Sequence, residues 1–277
     1  MAQIPNFWPL VVEQAPPDLD DYIQPSDSAL LLSSLTALSV ERFEAAAGAD
    51  GDPRSVAIRF DFAPNDVFAD ASLTKRFWWR RAADGWAGLV SEPVDIRWKP
   101  GRDLTYGMLG LVKKIWDASP GAQADGGGGS AARALAADRA ALRKKIKNTG
   151  MGGVSFFAWF GYVGRRVGAD ESRAATAAER ERRRLRREGR EVPEPGPEPP
   201  VQDEDDDESL EIFEGGDELA LFIADDLWPN AIKYFSEYSP LAVGIGRFGP
   251  PLTSSPSSPG AGAGCHERRR LRYGRRR

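Results

Sequence analysis

The feature that most constrains this fold is a short stretch of alternating apolar residues, SVAIRFDF (55–62). Large apolar side chains occupy every second position, at Val56, Ile58, Phe60 and Phe62. This two-residue period is typical of a strand that buries one face in an antiparallel sheet. Because the chain has 277 residues, of which 41% are hydrophobic, it is long enough to bury one sizeable core against such a sheet.

Two further strands are predicted, at LTKRFWWRR (73–81) and at EPVDIRWK (92–99), where apolar residues also alternate. A short helix that extends to Leu35 is predicted before them, with Ser26 or Asp27 as its N-cap. Strands that follow one another and are succeeded by helices indicate an α+β fold, in which helices pack on one face of an antiparallel sheet.

The helical part of the sequence contains an aromatic cluster and a basic segment. In SFFAWF (155–160) the aromatic residues lie at helical spacing after Ser155, which favours a capped helix whose rings belong to the core. AARALAADRAALRKKIK (131–147) is predicted to be an exposed helix whose C-terminal cations interact favourably with the helix dipole. The preceding DGGGGS (125–130) is predicted to be a flexible linker.

The segment DELALFIADDLWPNAIKYF (217–235) has apolar residues at steps of three and four, which indicates a buried helical face. Pro229 disfavours helical backbone at the preceding residue, so a first helix is predicted to stop near Leu227 and a second to follow. Asp225 and Asp226 would then lie at this junction, either as capping residues or as a rigid anionic surface.

Charged residues are segregated along the chain, although the formal net charge is only -4. Residues 191–226 contain fifteen acids and no lysine or arginine. Basic blocks occur at RKKIK (143–147), at ERERRRLRREGR (179–190) and in the last ten residues, which include seven arginines. Blocks of like charge are usually solvated and often serve as interaction segments.

Several classes of protein are excluded by composition. The longest apolar stretch, ALLLSSLTALSV (29–40), is too short to span a membrane, and the N-terminus lacks a signal-peptide pattern. The single Cys265 and the single His266 exclude a disulfide framework and a Cys/His zinc site. Adjacent carboxylates on a helix point about 100° apart, so Asp225 and Asp226 are poorly placed to act on one atom. We therefore expect no enzymatic activity, no cofactor and no metal.

Five stretches of the chain resemble, in order and character, those of the nucleosome assembly protein family, and they are most similar to its SET, or template-activating-factor, branch. The stretches are IPNFW (4–8), IRFDFAPNDVFAD with LTKRF (58–77), DIRWKPGRDLT (95–105), SFFAWF (155–160) and DELALFIADDLWPNAIKYF (217–235). The resemblance implies an α+β earmuff-type domain in which an antiparallel sheet lies over helices. It also implies a nuclear histone chaperone, shuttling with the cytoplasm, that binds H3–H4, H2A–H2B or both and assists nucleosome assembly and disassembly.

The resemblance divides the chain into one interrupted domain and a tail. The predicted segments are 1–118, the first part of the earmuff domain; 119–150, a flexible linker and basic helix; 151–160, a continuation of the domain; 161–216, a disordered basic-then-acidic insertion; 217–240, the C-terminal helices; and 241–277, a disordered arginine-rich tail. The family carries a long dimerisation helix ahead of IPNFW, whereas Met1 stands three residues before Ile4 here. A homodimer is thus expected of the family, but its dimerisation helix is missing from this sequence.

The predicted histone-binding residues are the clustered carboxylates between 203 and 226. They are Asp203, Glu204, Asp205, Asp206, Asp207, Glu208, Glu211, Glu214, Asp217, Glu218, Asp225 and Asp226. Leu210, Ile212 and Phe213 are predicted to add apolar anchors. The resemblance also matches Phe156, Phe157, Trp159, Phe160, Trp228 and Pro229 to packing positions.

Two alternatives to a histone chaperone stay open. A nucleic-acid-binding protein would use the basic blocks to contact DNA weakly. The simpler interpretation of these blocks is a nuclear import signal. The residues concerned are Arg143, Lys144, Lys145, Lys147, Arg268, Arg269, Arg270, Arg275, Arg276 and Arg277. A regulator of a histone acetyltransferase or of a phosphatase is the other alternative that the resemblance implies.

Overall fold

The computed structural model describes residues 4, 6–15, 19, 22–45, 51–118, 129–149, 153–190 and 210–237. The chain divides into two units, Met1–Ser239 and Pro240–Arg277, and the second unit lies outside the described residues. The predicted tail at 241–277 therefore stays a prediction. Within the described ranges, no helix is long and apolar enough to cross a membrane.

The described elements are seven α-helices, four strands, one 3-10 helix and one π-turn. In chain order they are α1 (Phe7–Glu13), α2 (Pro25–Ser34), β1 (Leu35–Glu41), β2 (Val56–Phe62), β3 (Ser72–Arg81), β4 (Ala87–Ser91), α3 (Met108–Asp117), α4 (Gly129–Thr149), the 3-10 helix (Phe156–Gly161), α5 (Ala169–Arg187), α6 (Gly216–Phe222), the π-turn (Ile223–Leu227) and α7 (Ala231–Glu237).

The sheet is antiparallel and its strands are ordered as in the sequence, β1-β2-β3-β4. Phe60 lies opposite Leu73 and Ile58 lies opposite Lys75, so the alternating residues of β2 and β3 share one buried face. This confirms the predicted α+β class and the predicted strands within 55–62 and 73–81.

The prediction of a strand at 92–99 is wrong. This segment contributes only an isolated bridge between Phe68 and Trp98, because Pro93 has no N–H to donate and the Val94 N–H donates to the carbonyl of Phe160 at 2.8 Å. Strands β1 and β4 were not predicted from sequence. β1 follows directly on the last residue of α2 and is held by its pairing with β2.

The aromatic residues of the 3-10 helix form the centre of the core under the sheet. Phe156, Phe157, Trp159 and Phe160 are all buried, and the Phe60 ring of β2 lies 5.7 Å from the Phe156 ring and 6.1 Å from the Trp159 ring. The Ser155 hydroxyl accepts from the Phe157 N–H at 3.2 Å. The predicted aromatic core and its Ser155 cap are thus confirmed, although the helix is of the tighter 3-10 type.

The N-terminus of α2 differs from the prediction. Its N-cap is Gln24, and Asp27 is a buried residue inside the first turn. The Asp27 carboxylate accepts from the Gln24 N–H at 3.0 Å, the Ser155 hydroxyl at 2.7 Å and the Phe156 N–H at 2.7 Å. Burial raises the pKa of Asp27, against these hydrogen bonds. Asp27 therefore joins α2 to the 3-10 helix rather than simply starting α2.

Asp27→Ala is expected to lower the free energy of unfolding by about 2–4 kcal/mol, because three donors, two of them buried, would lose their acceptor. Chemical denaturation followed by circular dichroism measures this change. Asp66→Ala is the matched control, since Asp66 is exposed and its loss is expected to change stability by about 0.5 kcal/mol or less. Equal stability of the two variants would contradict the role of Asp27.

Helix α5 occupies most of the described part of the segment predicted to be disordered. It packs on β3, buries Ser172 and Ala175, and its Ser172 hydroxyl accepts from the Arg81 N–H at 3.0 Å. Ion pairs at helical spacing support it, such as Glu179 with Arg182 and Arg183. The prediction of disorder is wrong here because the helix is stabilised by docking on β3 through Ser172 and Ala175, a long-range contact that the high charge density of the segment does not reveal. Residues 191–209 lie outside the described residues.

Helix α4 confirms the predicted basic helix at 131–147, but the prediction that this helix is exposed is wrong for one of its faces. It packs along α3, and Leu142 is buried while Leu135 and Ile146 are half-buried, so one face contributes to the core and the rest is solvated. Of the predicted linker, residues 125–128 lie outside the described residues, and Gly129 already begins the helix.

Candidate functional site

The acidic segment predicted at the C-terminal helices begins at Gly215. Gly215 has left-handed backbone (φ 69°), a conformation that glycine adopts without steric cost, and α6 starts at the next residue. Asp217 and Glu218 lie in the first turn, where carboxylates interact favourably with the helix dipole. Leu219 and Ala220 are buried beneath them, so the carboxylates are attached to a fixed element.

The helical elements end at Leu227 and resume at Ala231, which confirms the predicted helix end and the second helix after it, although hydrogen bonds bridge the three residues between them. Trp228 has φ −70° and ψ −45°, and its N–H donates to the carbonyl of Ile223, five residues earlier, at 3.0 Å. The Asn230 N–H then donates to the carbonyl of Asp226 at 3.0 Å. A proline within a helix has no N–H and its ring crowds the preceding turn. The wider π-turn before Pro229 relieves this conflict, so a three-residue turn is enough to join the π-turn to α7.

The two adjacent carboxylates at this junction have different environments. Asp226 is half-buried and accepts from the Asn230 side-chain amide at 2.6 Å and from the Tyr234 hydroxyl at 2.7 Å. Asp225 is exposed and pairs with Arg42, which lies just after β1. The fold therefore uses Asp226 to join the π-turn to α7, and Asp225 alone presents its charge to solvent.

Glu211 was predicted to bind histones, but it is a structural residue. Its carboxylate accepts from the N–H groups of Val163 and Gly164, both at 3.3 Å. Burial raises the pKa of Glu211, while these hydrogen bonds and the nearby charge of Lys75 act in the opposite direction. The same segment buries Leu210, Ile212 and Phe213 in the core, so the predicted apolar anchors are not available to a partner.

Of the predicted acids that the structure describes, three are exposed and three are half-buried. Glu214 and Glu218 are exposed with Asp225, whereas Asp217 is half-buried beside the Tyr162 hydroxyl. Burial raises the pKa of Tyr162, and the charge of Asp217 adds to this effect. We call Glu214, Asp217, Glu218 and Asp225 the acidic surface.

The remaining predicted site residues are separated from the acidic surface or fall outside the described ranges. Lys144 and Lys147 are exposed on α4, Arg143 is half-buried, and Lys145 donates to the carbonyl of Tyr106 at 2.7 Å. The residues outside the described ranges are Asp203, Glu204, Asp205, Asp206, Asp207, Glu208, Arg268, Arg269, Arg270, Arg275, Arg276, Arg277, Cys265 and His266. In the part of the chain that the structure describes, no three metal-ligating side chains are grouped together.

Sequence reasoning missed two features of this site. Arg42 pairs with Asp225 across 183 positions, for which no local signal exists. Trp228 and Pro229 were matched to packing positions, yet both are exposed, because they lie on the outer side of the turn between the π-turn and α7. Leu221, Trp228 and Ile232 are spaced by seven and four residues, which is compatible with a helix, but this spacing does not tell which apolar side is exposed.

Comparison with known proteins identifies one family and several relatives. The profile of the nucleosome assembly protein (NAP) family matches residues 1–238. A candidate nucleosome assembly protein from Schizosaccharomyces pombe is 27% identical over 248 residues, which are 86% of this chain and 64% of that protein. The chain thus spans less than two thirds of this curated relative.

Solved structures that resemble the chain include the crystal structure of Ccp1, with 25% identity, a TM-score of 0.44, and coverage of 85% of this chain and 76% of that one. Nucleosome Assembly Protein 1 from Plasmodium knowlesi has 16% identity and a TM-score of 0.39, with 85% and 69% of the two chains covered.

Proposed function

Because this chain belongs to the nucleosome assembly protein (NAP) family, we propose that it is a histone chaperone. In this proposal it binds core histones, H3–H4, H2A–H2B or both, through its acidic surface and assists nucleosome assembly and disassembly in the nucleus. It acts by binding and release and has no catalytic role.

The chemistry of the partner explains why carboxylates suit this function. Histones are basic and bind DNA largely through the release of counterions, so free histones adhere to DNA non-specifically. A protein that binds them with carboxylates lowers their free concentration by mass action and still releases them to DNA. Because such attraction is screened by salt, it is reversible and gives rapid association.

The observation that carries the proposal is the arrangement of Glu214, Glu218 and Asp225. All three are exposed, Glu214 in the turn before α6 and the other two on α6 and the π-turn, and residues 191–226 contain no lysine or arginine that would neutralise them. Arg42 is the cation paired with Asp225, and the side chain of Asp225 nevertheless remains 59% exposed. A basic protein would thus meet fixed negative charges that are already ordered.

The triple variant Glu214→Gln, Glu218→Gln and Asp225→Asn is expected to weaken histone binding roughly tenfold or more at low salt, and less at high salt. Fluorescence titration of labelled H2A–H2B and H3–H4 measures the affinity. The matched control neutralises three exposed acids on other elements, Asp66→Asn, Asp95→Asn and Glu171→Gln. A loss of the same size in the control would indicate only a net-charge effect.

The acid run Asp203–Glu208 stays a predicted part of the histone-binding region, since it lies outside the described residues. Its replacement by serine and asparagine is expected to weaken histone binding most at low salt. Unchanged affinity in this variant and in the triple variant would remove both acidic regions from the proposed site. Absence of histone binding by the parent protein would refute the chaperone proposal itself.

A second candidate, nucleic-acid binding, is favoured by the arginines of α5. Among the described residues, Arg180, Arg186 and Arg187 are exposed and have no carboxylate within salt-bridge distance. Cations placed in this way bind phosphates independently of base sequence. A salt titration separates the candidates, because tight binding of free DNA at physiological salt, together with no histone binding, would favour this second function.

A further inference from the structure

The outer side of the α6–π-turn–α7 segment carries large apolar residues among its acids. Exposed positions recur at steps of three and four, at Glu218, Leu221, Asp225, Trp228 and Ile232. The exposed fractions are 36% for Leu221, 40% for Trp228 and 63% for Ile232. We call these three residues the apolar stripe.

This concentration of exposed apolar residues is local. In the described part of the chain, large exposed apolar side chains occur at six positions, and three of the six belong to this one segment. Scattered exposed apolar residues are normal on a protein surface, whereas a group rimmed by polar residues is typical of a binding site. The acidic surface supplies such a rim through Glu214, Glu218 and Asp225.

The stripe is attached to a rigid support. The opposite side of the same segment buries Ile223, Leu227 and Ala231 in the core. Asp226 accepts from Asn230 and from Tyr234 of α7, and Asp225 is paired with Arg42 just after β1. A partner that binds here would meet side chains on ordered backbone, so little conformational entropy is lost on binding.

We propose that the apolar stripe and the acids around it form a docking surface for a basic amphipathic helix of a folded histone. This inference rests on the proposed chaperone function and specifies how its partner is recognised. Trp228 is the expected centre of the contact, because tryptophan buries a large area and is enriched at the centres of interfaces. The flanking carboxylates then bind cations at the edges of the docked helix.

Charge complementarity distinguishes this occupant from a second copy of the chain. A second copy docked stripe to stripe would bring Glu218 and Asp225 against the same acids of its partner, and such like-charge contacts oppose association. A basic helix with apolar residues on one face satisfies both the acids and the stripe. The surface therefore favours a partner that is cationic and has an apolar face.

The inference has a consequence for specificity. Carboxylates alone bind any polycation, including an extended peptide without apolar residues. The apolar stripe adds affinity only for a partner that presents apolar side chains in a suitable arrangement. Folded histones should thus depend on the stripe, whereas polylysine should depend only on the acidic surface.

The test is the double variant Trp228→Ala and Ile232→Ala in the full chain. Its affinity for H2A–H2B or H3–H4 is expected to fall about tenfold or more, whereas its affinity for polylysine stays unchanged. The matched control is Leu32→Ala with Tyr106→Ala, which removes two exposed large side chains elsewhere and should leave both affinities unchanged. Circular dichroism confirms that each variant is folded.

Other outcomes would overturn the inference in distinguishable ways. Unchanged histone affinity in the double variant, with the parent protein binding histones, refutes the docking surface and leaves the chaperone proposal intact. An equal loss of affinity for histones and polylysine refutes the apolar contribution. Sedimentation measures the oligomeric state. If the parent protein is a dimer and the double variant is a monomer, a second copy of the chain occupies the stripe, and the proposed histone docking surface is refuted. Failure of the parent to bind histones at all refutes the proposed function.

Discussion

Replacement of Lys75 by methionine is expected to lower the free energy of unfolding by about 3–5 kcal/mol, although methionine has a similar length and is apolar. Lys75 is completely buried on the inner face of β3. Its ammonium group donates to the carbonyls of Glu92 at 2.7 Å, Phe160 at 3.0 Å and Tyr162 at 2.6 Å. The three N–H groups of the ammonium are thus matched by three acceptors.

The physical reason is that methionine removes the donors but leaves the buried carbonyls in place. Burial lowers the pKa of Lys75, and the charges of Glu211 and Glu92 act in the opposite direction. A buried ion can be replaced by an apolar residue without loss of stability only when its polar partners are replaced with it. Here two of those partners are the backbone carbonyls at the end of the 3-10 helix, which no side-chain substitution removes.

Urea denaturation measures the effect, and Arg76→Met is the matched control. Arg76 is the neighbouring residue of β3, is exposed, and points to the opposite face of the sheet. Its replacement is expected to change stability by about 0.5 kcal/mol or less. If Lys75→Met were as stable as this control, the three hydrogen bonds of Lys75 would contribute nothing to the fold.

Trp159→Ala is expected to lower the free energy of unfolding by about 3–5 kcal/mol, because it opens a cavity at the centre of the core. The Trp159 ring is fully buried, and its centroid lies 5.4 Å from those of Phe77 and Phe160. The indole N–H also donates to the carbonyl of Gly216 at 2.8 Å. Trp159 therefore connects the sheet to the residue at which α6 begins.

Two further variants separate packing from hydrogen bonding at Trp159. Trp159→Phe keeps most of the ring volume but leaves the Gly216 carbonyl without its donor, so a smaller loss of about 1–3 kcal/mol is expected. Trp228→Ala is the control of the same residue type at an exposed position, and a loss of about 1 kcal/mol or less is expected there. Thermal and urea unfolding of the three variants should rank them Trp159→Ala, Trp159→Phe, Trp228→Ala, and a different order would contradict this account.

The elements that could be predicted from sequence are those whose signal is local. The alternation of β2 and β3, the aromatic cluster after Ser155 and the acidic start of α6 each follow from the spacing of neighbouring residues. β1 and β4 were missed because short strands of mixed composition depend on the strand beside them. Helix α5 was missed because its charge density is that of a disordered segment, while its stability depends on docking against β3.

In the candidate site, too, some features follow from local sequence and others depend on tertiary packing. The sequence alone determined that acids are concentrated between 191 and 226, since composition is local information. Which of the described acids face solvent was decided only by tertiary structure: Glu211 is held by the N–H groups of Val163 and Gly164, and Asp226 is held by α7. The same is true of the apolar stripe, because the exposure of Trp228 depends on the turn that joins the π-turn to α7. Burial is a property of the whole packed domain, so spacing along the chain could indicate a helix here but could not assign its two apolar sides.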